Sequence, residues 1–201
     1  MILCDIMKKA PWFRRREAKD ILISVLALSF VFSYPESILN PVFLLYSLFA
    51  VGLGFMGHEL SHRYVARRLG YWAEFRMWNQ GIMFALLLAF ITNGGFVFAA
   101  PGAVVFSSYW AFERPSRAHV GRIGIAGVVF NISLMYALLA LGIFVSHPVL
   151  GLAAFVNGWL AIFNLIPFGP LDGGKVLAWN WKAWALAMGL AAAGLGISVL
   201  A

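Results

Sequence analysis

The sequence predicts an all-α, multi-pass membrane protein. About five membrane helices are expected, with a re-entrant hairpin, either helical or β, between the second and the third. Hydrophobic residues make up 62% of the 201 residues, charged residues only 11%, and the mean hydropathy is +0.86. A water-soluble domain is about 25% charged and could not hide this much apolar surface. The 15 basic residues stand at the ends of apolar runs. That placement is typical of membrane proteins and argues against a nucleic-acid partner, despite the net charge of +7.

Residues 1–20 are predicted to be a basic cytoplasmic segment, followed by a single integral-membrane domain over residues 21–201. The apolar residues 21–34 form the first predicted membrane helix, and the positive charges before them hold the N-terminus inside. A basic stretch before a short apolar run also resembles a signal peptide, but no A-x-A-like cleavage site follows. The single cysteine, Cys4, excludes an intrachain disulfide framework.

The second predicted helix begins at Pro41, because a proline at a helix start lacks only an N–H that would be unpaired anyway. Residues 42–57 carry no charge. The helix continues through His58, Glu59 and His62. It ends among arginines, which place this end in the cytoplasm.

Residues 82–106 are long enough to span a membrane, but the turn signal Thr-Asn-Gly-Gly at residues 92–95 interrupts them. Arginines flank the segment on both sides, so that both flanks are predicted to be cytoplasmic. They are Arg76 before it and Arg114, Arg117 and Arg122 after it. A hairpin excursion satisfies both flanks, whereas a single crossing does not. Its second half, at residues 96–98 and 104–106, is rich in strand-forming residues, which must pack against protein or line a watery cavity.

Three further membrane helices are predicted at residues 123–145, 149–166 and 185–201, and they leave the C-terminus outside. Residues 146–148, Ser-His-Pro, turn the chain between the first two. Two prolines and three glycines then break the helical pattern at residues 167–174.

Residues 58–62, His-Glu-Leu-Ser-His, form the pattern HExxH on the second predicted helix. Positions i and i+4 share one helix face, so His58 and His62 can bind one metal ion. Glu59 can reach a water on that metal and act as general base. The pattern ends an uncharged apolar run, where ionisable side chains are costly. This favours a functional site over a helix end whose polar side chains merely reach toward the interface.

A catalytic zinc site needs a third protein ligand. His119 and His147 are predicted in loops and are interpreted as ordinary surface residues. Asp172 instead follows an apolar span, inside the stretch that the prolines and glycines break. It could also cap the next helix near Lys175, but capping alone explains neither the broken span nor its depth.

The predicted helices bring two separate segments to one depth. At about 1.5 Å per residue, His58 and Asn164 each lie about 24–25 Å from the outer end of their helices. The prolines after Asn164 let Asp172 fold back toward that level.

GHELSH at residues 57–62 and NLIPFGPLDGG at residues 164–174 together resemble the site-2 protease family of intramembrane zinc metalloproteases. The resemblance covers about residues 41–180. It implies one zinc ion per chain, bound by His58, His62 and Asp172, with Glu59 as the catalytic acid and base. Asn164 matches the family's asparagine, to which oxyanion stabilisation or substrate positioning is attributed.

Residues 127–131, Gly-Val-Val-Phe-Asn, resemble the family's small-residue motif on the helix between the two metal-bearing ones. Close helix packing through Gly127, with Asn131 bonding across helices, is an equal interpretation of the same residues.

The resemblance implies hydrolysis of peptide bonds in or near transmembrane segments of membrane-protein substrates. The predicted location is the cell membrane, with the N-terminus in the cytoplasm and the active site toward that side. The lipid bilayer is the expected surrounding, no nucleic acid is expected as a partner, and the oligomeric state stays open.

Two alternatives are a membrane metal transporter that uses the same ligands and a non-catalytic membrane-binding homologue. A transporter needs a continuous polar path and usually related halves, whereas the histidines and acids here cluster at one depth. A non-catalytic homologue is disfavoured because every expected catalytic residue is present.

Overall fold

The computed structural model describes residues 15–108 and 115–200, so residues 1–14 of the predicted basic segment lie outside it. The described chain is mostly helical, with two short strands. In chain order the elements are α1 (Arg15–Ser33), α2 (Glu36–Leu39), α3 (Val42–Arg68), β1 (Tyr71–Met77), α4 (Asn79–Ile91), β2 (Gly102–Ser108), α5 (Arg117–Phe144), α6 (Pro148–Leu165), α7 (Asp172–Trp179) and α8 (Trp181–Leu200).

Four of the described helices, α3, α5, α6 and α8, are long and apolar enough to cross a membrane. They coincide with the second and the last three predicted membrane helices, so the described chain is mostly helical with four candidate membrane-spanning helices, as predicted. The first predicted span, residues 21–34, lies in α1. That helix is not among the four, because several charged residues precede the apolar run within it. The number of crossings therefore stays a prediction.

The helix starts follow local capping. Pro41 stands immediately before α3, and Pro148 is the first residue of α6. The Ser116 hydroxyl accepts from the His119 N–H at 3.2 Å, so α5 begins at Arg117, earlier than the predicted residue 123.

Helices α3, α5 and α6 pack against one another and form the centre of the molecule. Ala50, Ala153 and Ala154 are fully buried there, and small side chains of this kind let helices approach closely. Helix α7 packs on α5, α8 packs on α6, and α1 packs on α3 and β1. The arrangement brings the end of α3 beside the junction of α6 and α7.

The segment predicted as a hairpin combines a helix with a strand. Its first part is the helix α4, and its last part is β2, which pairs antiparallel with β1 from Tyr71↔Ser108 to Met77↔Gly102. The strand β1 was not expected from the sequence. Residues 96–98 are not a strand, and the Val97 carbonyl accepts from Trp159 Nε1 at 2.9 Å instead. Because Met77 pairs with Gly102, the excursion returns beside its start. Whether it enters the membrane stays a prediction.

A buried carboxylate joins α1, α3 and β1. Glu17 is 1% exposed, and its Oε1 accepts from Arg63 Nη1 at 2.7 Å and from the Phe75 N–H at 3.0 Å. Arg63 directly follows His62 on α3, and Phe75 lies opposite Val104 in the sheet. Glu17 thus ties the two-stranded sheet to the helix that carries the HExxH pattern.

Candidate metal centre

Two imidazoles and a carboxylate meet where α3 faces the start of α7. His58 and His62 lie one turn apart on α3, and Asp172 is the first residue of α7. Asp172 Oδ2 lies 3.3 Å from His58 Nε2 and 2.9 Å from His62 Nε2, and all three residues are buried. One possible ligand atom from each lies within 4.8 Å of the others. The fold therefore brings together the three residues that the sequence singled out.

The second ring nitrogen of each histidine is hydrogen-bonded to an oxygen atom. His62 Nδ1 donates to the Ile123 carbonyl at 2.6 Å, and His58 Nδ1 donates to Asn131 Oδ1. A carbonyl oxygen can only accept, so both Nδ1 atoms carry a proton. Both Nε2 atoms then direct lone pairs toward Asp172, which is the tautomer that a metal ligand requires.

The donor set fits a divalent metal. The Lys175 ammonium, whose Nζ donates to Asp172 Oδ1 at 2.8 Å, favours the ionised form of that carboxyl. The ionised oxygen and the two Nε2 lone pairs are all acceptors, so a proton or a metal ion must lie between them. Two imidazole nitrogens and one carboxylate oxygen are a ligand set for zinc that leaves a coordination position open.

The carboxylate of Asp172 is held from both sides. Lys175 Nζ donates to Oδ1 at 2.8 Å, while Oδ2 faces the histidines. The side chain does not cap α7, because its capping residue is Leu171 and no side-chain cap is formed. A Cβ at Gly173 would lie 2.0 Å from the Leu165 carbonyl oxygen. Glycine is therefore needed for α7 to begin directly against the end of α6.

Gly127 packs directly against the two imidazoles. A Cβ at this position would lie 2.6 Å from His62 Nε2 and 2.7 Å from His58 Nε2. Close packing through Gly127 is therefore observed, and the surfaces in contact are those of the candidate ligands. The cross-helix bond expected of Asn131 is also observed, and it goes to His58.

A cavity of about 230 Å³ opens beside the three residues. Its wall includes Glu59, residues of β2 such as Val104, and Asn164 on α6. Glu59 Oε2 is buried and has no hydrogen-bond partner among the described residues. A buried carboxylate oxygen without a partner is costly, and such a group often serves catalysis. Glu59 therefore offers a proton acceptor in the cavity wall.

Part of the hydrogen-bonding capacity of the Asn164 side chain is used within its own helix. Its Nδ2 donates to the Leu160 carbonyl at 2.9 Å. An amide nitrogen carries two hydrogens, so one N–H remains to serve a molecule in the cavity.

The two remaining histidines lie elsewhere. His147 is exposed in the turn before α6, as predicted, whereas His119 is half-buried in the first turn of α5 and not in the predicted loop. His119 Nδ1 lies 2.7 Å from the Tyr71 hydroxyl oxygen, and His147 Nδ1 accepts from the Val149 N–H at the start of α6. Neither belongs to the group of possible ligand atoms in the described chain.

Asn157, a fully buried asparagine on α6, was not identified from the sequence. It does not line the cavity, and its Oδ1 accepts a hydrogen bond from Asn131. A usable signal was present, because a polar side chain inside an apolar span needs a hydrogen-bond partner. Its partner could not be identified without the packing of α5 on α6.

A protein of Methanocaldococcus jannaschii, named "putative zinc metalloprotease", is 42% identical to this chain over 181 residues. The matched region covers 87% of this chain and 90% of that protein. No family model matches the chain. No solved structure matches it.

Proposed function

The chain belongs to the family of that zinc metalloprotease, and from this premise we propose that it is an intramembrane protease of the site-2 protease type. Its substrates are membrane proteins, hydrolysed in or near their transmembrane segments. The observation that carries the proposal is the convergence of His58, His62 and Asp172 beside Glu59, in a framework of apolar helices long enough to span a membrane. Ionisable side chains are costly in such a framework and mark functional sites by default.

His58, His62 and Asp172 would hold the zinc ion, which supplies a Lewis acid for the scissile carbonyl and for an attacking water. Glu59 Oε2 takes the proton from the water and transfers it to the leaving nitrogen. The N–H of Asn164 that Leu160 does not use donates to the carbonyl oxygen as negative charge develops there. Lys175 keeps the Asp172 carboxylate in position.

The strand β2 supports an extended substrate. A transmembrane helix resists hydrolysis because its backbone groups are bonded to one another. Residues 102–106 of β2 line the cavity, and β1 pairs with one edge of β2. A substrate segment added along the other edge would be held extended beside Glu59. The alternative is that β2 only covers the cavity.

Cleavage of a single-span membrane protein by the purified chain in liposomes tests the function. We expect products cut in or near the span, no products in the presence of a zinc chelator, and recovery when zinc is restored. A soluble, unstructured peptide serves as the comparison substrate. Zinc uptake into sealed vesicles without cleavage would favour a transporter, and zinc binding with neither activity would favour a non-catalytic homologue.

Single cysteines test the proposed orientation in a Cys4→Ser background. Arg68→Cys precedes the α4–β2 excursion and Ser116→Cys follows it, and both positions are exposed. We expect an impermeant thiol reagent to label both from the cytoplasmic side only, because arginines flank the excursion on both sides. His147→Cys, exposed in the turn before α6, is the control and is expected to react only from outside. Labelling of the first two from opposite faces would contradict the hairpin.

Asn164→Ala is expected to retain zinc and slow turnover by about 10²–10³, as removal of one oxyanion donor typically does. Turnover of the single-span substrate and zinc content are measured together. Asn180→Ala is the matched control, because Asn180 Oδ1 caps α8 by accepting from two backbone N–H groups and does not line the cavity. Equal rates in the Asn164 variant and the wild type would contradict the role of Asn164 as an oxyanion donor and leave it only a structural bond to Leu160.

A further inference from the structure

We propose that Asn157 on α6 is a positioning residue for the metal centre, which acts through Asn131 on α5 to hold the ring of His58. The proposal rests on the proposed zinc site. Both asparagines, called the amide pair below, are 0% exposed within apolar helices. Buried amides are costly unless they are hydrogen-bonded, and the bonds of this pair lead to a candidate metal ligand.

Asn131 uses all its hydrogen-bonding groups in one orientation. Its Oδ1 accepts from His58 Nδ1. Its Nδ2 donates to the Gly54 carbonyl at 3.0 Å and to Asn157 Oδ1 at 2.8 Å. Because the Gly54 carbonyl can only accept, Nδ2 must face Gly54, and Oδ1 is left to face His58.

Asn157 is oriented by its own helix. Its Nδ2 donates to the Ala153 carbonyl at 2.8 Å, one turn earlier on α6, so its Oδ1 faces Asn131. Gly54 on α3 makes room for this amide, since a Cβ there would lie 2.9 Å from Asn157 Oδ1. The amide pair therefore links α3, α5 and α6 through a chain of hydrogen bonds that all run in one direction. His58 donates to Asn131, and Asn131 donates to Asn157.

Asn157 does not line the cavity, so its influence on the site passes through Asn131. Without the Asn157 amide, one N–H of Asn131 would be buried with no partner. Asn131 could regain a partner only by turning, and this would move Oδ1 away from His58. Hydrogen-bond partners that orient metal ligands typically contribute about 10–100-fold to metal affinity.

The test measures the zinc dissociation constant of the full chain by competition with a chelator, together with the thermal stability of the zinc-free protein. Asn157→Leu removes the amide at similar volume. Asn157→Asp preserves the bonding pattern, because a buried neutral carboxyl can accept from Asn131 and donate to Ala153. Ser47→Ala is the control, since Ser47 is fully buried on α3 but is not bonded to the amide pair.

We expect Asn157→Leu to weaken zinc binding by about tenfold or more, and Asn157→Asp and Ser47→Ala to stay within about threefold of the wild type. Asn131→Leu combined with Asn157→Leu should weaken binding no more than Asn131→Leu alone, because the two residues act in series.

An unchanged dissociation constant in Asn157→Leu, with only the thermal stability lowered, would show a structural role and overturn the proposal. Additive losses in the double variant would overturn it as well. If the leucine variant does not fold, Asn157→Asp still tests the proposal. Tenfold weaker zinc binding by this variant, despite its preserved bonding pattern, would overturn it. A wild-type protein that binds no zinc would contradict the proposed function itself and this proposal with it.

Discussion

Glu59→Gln is expected to lose cleavage of a membrane substrate while it keeps its zinc. The amide has almost the same shape as the carboxylate but cannot take a proton from the attacking water, and general acid–base catalysis typically contributes about 10²–10⁴-fold to a rate. Zinc is retained because the three possible ligand atoms belong to His58, His62 and Asp172. Cleavage rate and metal content of the same preparation are measured side by side.

The folded state of this variant is not expected to weaken. Glu59 Oε2 is buried without a hydrogen-bond partner among the described residues, and a neutral amide is cheaper to bury than a carboxylate. Glu36→Gln, at an exposed position on α2, is the matched control and should cleave like the wild type. Substantial cleavage by Glu59→Gln would contradict the proposed role of Glu59 in proton transfer.

His62→Ala is expected to abolish zinc binding and, with it, all cleavage. The wild type should hold about one zinc ion per chain, and removal of one of three protein ligands leaves an incomplete site. The loss should be complete after dialysis, because His58 and Asp172 alone offer two ligand atoms. Elemental analysis of purified protein measures the metal content directly.

The other two histidines supply the comparison for this variant. His119→Ala removes a contact with Tyr71, and His147→Ala removes a cap of α6, so both should retain zinc. Equal zinc content in the wild type and in His62→Ala would contradict the ligand assignment.

Local features of the chain made most of the helical architecture predictable. Uncharged runs that begin at Pro41 and Pro148 coincide with α3 and α6, because proline and apolar length act over neighbouring residues only. The strand β1 was not predicted, although residues 73–77 alternate between apolar and polar side chains, with Glu74 and Arg76 at the polar positions. Its pairing was not predictable locally, because β2, distant in sequence, supplies the other half of its ladder.

In the candidate site, too, local sequence determined some features and tertiary packing determined the others. The sequence by itself determined that His58 and His62 share a helix face with Glu59 beside them, since helical spacing fixes this within a few residues. It also singled out Asp172 as an acid after a broken apolar span. Only the tertiary structure decided that Asp172 Oδ2 faces both imidazoles and that Asn131 and the Ile123 carbonyl hold their other nitrogens. These contacts join residues far apart in the chain, and hydrogen-bond direction depends on how α3, α5 and α6 pack, which no local pattern encodes.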